Sequence, residues 1–474
     1  KFLMPKVLKM ESNLLTMRFI TQLYMALQNL NQGERIYNLF EKESISNLTK
    51  DKIARDRDVF YHQALSTPVS NAISKVEGAY IFDTDGKKYL DLHGNGVHTV
   101  GYNNPFLIEN MKNLIDSGLS FSPRRFTNEP TILLAEKLVE VSPNGLDKVL
   151  FCPGGSQAVE MAVMLAKLNT SRWQTLSFSG SFHGAGFQSV SIGADPHFCK
   201  GIGPLMPGAI HLELPSYYRN PWGWTSKERI DNEYLRQFRL QVESNNEIAA
   251  VISEPIFYNS TVPTKYYWTG VREICDQHGI LLIFDEIYTA FGRTGKMFAS
   301  EHFITPDILV IGKGFGGGLL PFAGIIGKSS LNSVNGSSIG HYTHEKSPLC
   351  SVIGNSVIDF VLSHNLLERA LTLGGYLKER LLEFKDRFEI VGNIDGLGLN
   401  LSMELVKNKH SKERAYKEAN LFLKYCLESG VSFKLIQGNI VNIKPSLVVN
   451  KEEIDFIISV FREGLSRLQT DFKK

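Results

Sequence analysis

Residues 279–318 read GILLIFDEIYTAFGRTGKMFASEHFITPDILVIGKGFGGG. The apolar run 280–284 is too short for a free-standing helix, so it is read as a buried strand ending in the acidic pair Asp285 and Glu286. A second apolar run, Ile308–Ile311, delivers Lys313 into a loop with glycine at 312, 314, 316, 317 and 318. Two neighbouring strands then present a carboxylate and an amine at their carboxyl ends, where open α/β sheets bind ligands.

That pairing suits pyridoxal phosphate. The amine forms a Schiff base with the aldehyde, and the carboxylate holds the pyridine nitrogen protonated so that the ring accepts electrons. Taken singly, Asp285 reads as a loop cap and Lys313 as a solvated side chain. Their joint spacing resembles the class III (ω-type) pyridoxal phosphate aminotransferases. The signature of that family runs hydrophobic strand, DEV or DEI, a variable residue, TGFGRTGK, then PDI and GK before a glycine run. Nearly every element stands here in order.

Working outward, DKVLFCPGGSQAVEMAVMLAKLN reads as strand, glycine turn and helix. The amides of Gly155 and Ser156 at a helix start, with the Ser156 hydroxyl, form an anion site. The family places its cofactor phosphate loop here as S-G-S/T-E-A. This chain has Gly154-Gly155-Ser156-Gln157-Ala158, so the backbone role carries over and the glutamate does not. TLSFSGSFHGAGFQSVSIG resembles the segment whose aromatic residue stacks on the cofactor ring, which implies that role for Phe182, with His183 after it. IAAVISEP resembles the strand ending in E-P-I and brings Glu254; the family's following Q-G-x-G-G is replaced by FYNSTVPTKYYW. A helix is expected over 266–278. In place of DEVQ stand Asp285, Glu286, Ile287 and Tyr288, so Tyr288 occupies the position of the glutamine that bonds the cofactor's phenolic oxygen. In HYTHEKSPLC, Thr343 stands five residues before Pro348, the spacing of a threonine that reaches the phosphate in the neighbouring subunit. The resemblance therefore implies a homodimer with a shared active site.

Nearer the amino terminus, the segments around DTDG read as a hairpin turning at Asp85 and Gly86. Residues 93–97 match the family's glycine-rich loop near the substrate. A helix is expected over Glu129–Val141, after Arg124 and Arg125. Paired arginines are as often plain solvated surface, yet Arg125 before Phe126 resembles members acting on phosphate-bearing amines, and it is the candidate for the substrate anion. Residues 200–245, rich in proline and tryptophan, read as a looping excursion, and LGLNLSMEL at 397–405 as a short strand. Near the end, VNIKPSLVV carries Asn442 where members that bind an α-carboxylate have an arginine. Lys444 lies close by, but as a point charge rather than a planar fork.

The chain's 474 residues suit a large domain and a smaller one. The expected division is 1–95 as a helical arm and hairpin segment of the small domain, 96–345 as the cofactor-binding domain, and 346–474 as the carboxyl-terminal small domain. With 43% apolar residues a full core is available, and a net charge of +2 points neither to nucleic acid nor to an anionic membrane. Five cysteines without C-x-x-C spacing fit a reducing cytoplasm and no metal site. Residues 14–30 carry helical apolar spacing broken by Arg18, Gln22 and Gln28, an amphipathic helix rather than a signal or a span.

The resemblance implies a fold type I α/β architecture: a large, mostly parallel mixed sheet with helices on both faces, and a smaller α+β domain. An ω-amine aminotransferase is the commonest activity of the family, but its keto acid needs a carboxylate grip. The replaced arginine, the lost Q-G-x-G-G and the changed DEVQ all touch that grip. The chain as a whole resembles family members that eliminate ammonia from an aminoalkylphosphonate and need no keto acid. That lyase is the expected activity, with the aminotransferase as alternative. Behind them stand a phospho-lyase on phosphoethanolamine-like amines and a non-catalytic regulator, for which residues 1–75 show no basic domain or helix-turn-helix.

Overall fold

The computed structural model describes residues 45–471 except 66, 68, 70, 334 and 335. The helix expected at 14–30 lies outside the described residues. The chain divides into two compact units, one including Phe82–Lys87 with the residues up to Ser74, the other Lys75–Ile81 with Lys88 onward. In the first unit, helix Asn47–Val59 starts at Ser46, whose hydroxyl accepts from the Thr49 amide at 3.2 Å. The DTDG turn forms as expected: Asp83 N–H donates to Lys87 O at 3.0 Å and Gly86 N–H to Asp83 O at 3.2 Å, with Gly86 at φ +82°.

Strands are numbered from β1 (Ile73–Glu77), β2 (Tyr80–Asp83) and β3 (Lys88–Asp91). The second unit is built on seven more: β4 (Lys148–Cys152), β5 (Gln174–Phe178), β6 (Ala209–Leu212), β7 (Ile248–Ser253), β8 (Leu281–Asp285), β9 (Ile308–Ile311) and β10 (Ala323–Gly327). They lie in the order β4-β10-β9-β8-β7-β5-β6. The neighbours from β9 to β6 are parallel, and β10 is antiparallel to both β9 and β4. Strands β7 and β9 are buried at every residue, which is why they read as unbroken apolar runs. Helix Gly155–Thr170 packs Ala158, Ala162 and Ala166 against this sheet. Each fully buried aliphatic side chain of valine size or larger adds about 1.5–3 kcal/mol.

A smaller sheet follows: β11 (Val391–Leu397), β12 (Asn400–Leu405), β14 (Lys434–Ile436) and β15 (Ile440–Ile443), ordered β11-β12-β15-β14 and antiparallel throughout. Between β12 and β14, β13 (Val431–Ser432) pairs in parallel with β3. Two expectations are corrected here. LGLNLSMEL is a hairpin turn rather than one strand, because Gly398 at φ +60° reverses the chain and pairs Leu397 with Asn400. The excursion at 200–245 contains β6 and helix Lys227–Glu243, whose Ile230, Tyr234, Phe238 and Val242 bury one stripe at four-residue spacing.

Candidate active site

The carboxyl ends of four parallel strands converge on one set of side chains. The turn after β5 carries Phe182 and His183, β7 is followed by Glu254, β8 ends in Asp285, and Lys313 comes two residues after β9. Register explains the neighbours: Ser253 pairs with Phe284 and Asp285 with Val310, so Glu254 and Asp285 leave adjacent strands side by side. Asp285 Oδ2 lies 2.8 Å from His183 Nδ1, and its Oδ1 accepts from the Ile287 amide at 3.1 Å. His183 Nε2 is buried without a partner among the described residues.

Burial pushes the Lys313 amine below its ordinary value, while Asp285 and Glu254 pull the other way. Glu254 accepts from the Tyr258 amide at 3.0 Å; burial, then the charge of Asp285, pushes its carboxyl up to about 7. The Tyr288 ring has Lys313 Nζ at 5.0 Å from its centre and Lys444 Nζ at 4.2 Å, while its hydroxyl lies 3.3 Å from His93 Nδ1. Residues 93–97 join them: a Cβ on Gly96 would stand 2.9 Å from Lys313 Cδ and 3.0 Å from Tyr288 Cε2, so only glycine allows this approach.

Helix Gly155–Thr170 begins at Gly154, which offers no side-chain cap, so its first amides face outward unsatisfied by the helix. Ser156 Oγ accepts from the Ala185 amide at 2.9 Å, tying this helix start to the segment after Phe182 and His183. The Phe182 ring is half-buried, 4.3 Å from that of Phe198. An amine beside a buried carboxylate and an uncapped helix start fit a group with an aldehyde, a ring nitrogen and a phosphate.

Two residues singled out in the sequence lie on the surface of the single chain. Arg125 is exposed and lies over its neighbour Phe126, 5.3 Å from the ring centre. Thr343 is also exposed. The two segments meet instead through Arg124, whose Nε donates to Glu345 Oε1 at 2.6 Å, and through Asn128, whose Nδ2 donates to Lys346 O at 3.1 Å. Lys434, opposite Asn442 across β14 and β15, was missed. Only the strand register reveals it, and no local motif carries that register.

The family model for class-III aminotransferases matches residues 61–465. The chain is 39% identical over 440 residues to the (R)-1-hydroxy-2-aminoethylphosphonate ammonia-lyase of Vibrio splendidus, covering 90% of this chain and 92% of that one. It is 35% identical over 408 residues to a leucine/methionine racemase of Thermococcus litoralis, covering 83% and 89%. Among solved structures, an (S)-enantioselective omega-transaminase of Thermomicrobium roseum superposes with a TM-score of 0.82 at 27% identity, covering 90% of this chain and all of that one. A pyridoxal-phosphate-bound amine transaminase of an uncultivated Pseudomonas species gives 0.81 at 28% identity, covering 86% and 99%. The chain belongs to the class-III aminotransferase family, with the fold type I architecture and pyridoxal 5'-phosphate as its cofactor.

Proposed function

We propose that the chain is a pyridoxal-phosphate-dependent ammonia-lyase that converts (R)-1-hydroxy-2-aminoethylphosphonate to phosphonoacetaldehyde and ammonia. The 39% identity spread over 90% of the chain to an enzyme of that name carries the reading. The absence of the carboxylate-binding arginine at Asn442 supports it. Lys313 is the residue that bonds the cofactor. Asp285, held by His183, would keep the ring nitrogen protonated, and Phe182 and Tyr288 would help to hold the ring. The amides of Gly155 and Ser156, with the Ser156 hydroxyl, would hold the phosphate. Thr343, exposed in the single chain, would serve the phosphate of the neighbouring copy in a homodimer. Five free cysteines favour a reducing cytoplasm.

When bound, the cofactor supplies an electron sink for the charge left on the amine-bearing carbon. Lys313 Nζ takes the proton from that carbon and returns it to the hydroxyl leaving the neighbouring carbon. Burial of the amine favours its neutral, basic form, and Asp285 and Glu254 keep it from losing basicity altogether. The water lost is regained when the released enamine hydrolyses, so the products are an aldehyde and ammonia and no keto acid is consumed.

An aminotransferase is the second reading, favoured by the likeness to solved transaminases. Incubation with simple amines, then with pyruvate or 2-oxoglutarate, separates the two. The lyase reading predicts no full conversion of the cofactor to its amine form and back. Complete cycling would restore the aminotransferase.

A further inference from the structure

Asn442 stands where the carboxylate-binding arginine is missing, yet the strands around it restore positive charge. Lys434 on β14 lies directly opposite Asn442 on β15, and cross-strand partners put their side chains on one face. Asn442 Nδ2 is in turn 3.3 Å from His93 Nδ1, on the loop beside Lys313. Lys444 follows two residues later. Its ammonium is buried, donates to Tyr258 O at 2.8 Å and lies 4.2 Å from the Tyr288 ring centre. Lys313 Nζ is 5.0 Å from the same centre, so the two nitrogens are no farther apart than those distances laid end to end.

Neither Lys434 nor Lys444 makes an ion pair among the described residues; Asp195 and Glu254 act on them only through space. Sheltered cations without a contacting anion cost folding free energy. A cluster of desolvated cations beside Lys313 is a candidate ligand site.

We infer that Lys444 and Lys434 form the pocket for the substrate's phosphonate, with its amine directed to Lys313. The inference rests on the lyase reading above for the identity of the substrate. Two ammonium groups match a phosphonate dianion better than the single charge of a carboxylate. They lie inside the same cluster as Lys313, whereas Arg125 is exposed on the surface of the chain.

The test uses holoenzyme and compares KM for 1-hydroxy-2-aminoethylphosphonate with KM for 1-amino-2-propanol, which carries methyl in place of the phosphonate. Methylphosphonate and acetate serve as probes, read by their effect on the cofactor's visible absorbance. Lys444→Met and, independently, Lys434→Met should each shrink the preference for the phosphonate by roughly 10- to 100-fold, and methylphosphonate should lose its effect in step. An unchanged preference in both variants overturns the inference. So does its loss in Arg125→Ala alone, or acetate binding as tightly as methylphosphonate to wild type. If wild type releases no ammonia from the phosphonate, the lyase reading falls, and the methylphosphonate arm still decides the pocket.

Discussion

His183 Nδ1 lies 2.8 Å from Asp285 Oδ2, with both side chains shut away from solvent. Because Asp285 Oδ1 is fixed by the Ile287 amide, the carboxylate is clamped at both oxygens at the end of β8. Asp285→Asn keeps the volume but cannot hold a ring nitrogen protonated. Turnover should fall by about 100-fold or more while the fold persists; kcat and circular dichroism measured together check this.

Lys313 adopts φ +44°, in the left-handed region that favours glycine. Removing its amine should abolish the borohydride-reducible link to the cofactor. Of two variants that both lack it, Lys313→Gly should be as stable as Lys313→Ala or more so, because glycine relieves the backbone strain. Mass spectrometry after reduction reads the first effect and denaturant titration of the apo variants the second. An adduct at the site in Lys313→Ala would contradict the assignment.

Burial, then the charges of Arg293, Lys313 and Lys434 set against the pull of Glu254, brings the Lys444 ammonium down to about 7. Its charge is present below that pH and lost above it. Glu254, held up at about 7, gains negative charge over the same range. The first change removes an attraction for an anionic substrate and the second adds a repulsion, so kcat/KM for the phosphonate should fall as pH rises through about 7, and Lys444→Arg should carry the plateau to higher pH. The pH profiles of the two proteins check it.

Glu286 accepts from the amides of Ala299 and Ser300 at 2.6 and 2.7 Å and from the Thr289 hydroxyl at 3.0 Å. Glu286→Ala would leave three buried donors without acceptors and should cost about 3 kcal/mol or more. Denaturant unfolding measures it.

The sequence made the sheet's parallel core legible because β8 and β9 bury both faces and so read as unbroken apolar runs beside Asp285 and Lys313. It also showed the uncapped helix start at Gly155, since glycine and serine before an apolar helix are a local signal. What it hid is non-local. Lys434 faces Asn442 only through the β14 and β15 register, and the His183 clamp on Asp285 joins residues 102 positions apart. The helix Lys227–Glu243 was masked by the prolines and tryptophans just before it, although its apolar spacing was present.

Elimination without a keto acid is read from ammonia release on incubation with (R)-1-hydroxy-2-aminoethylphosphonate. The purified holoenzyme should release ammonia from that compound with no acceptor added, and not from 2-aminoethylphosphonate, which has no hydroxyl to expel. Turnover that appears only when pyruvate or 2-oxoglutarate is supplied would contradict the account.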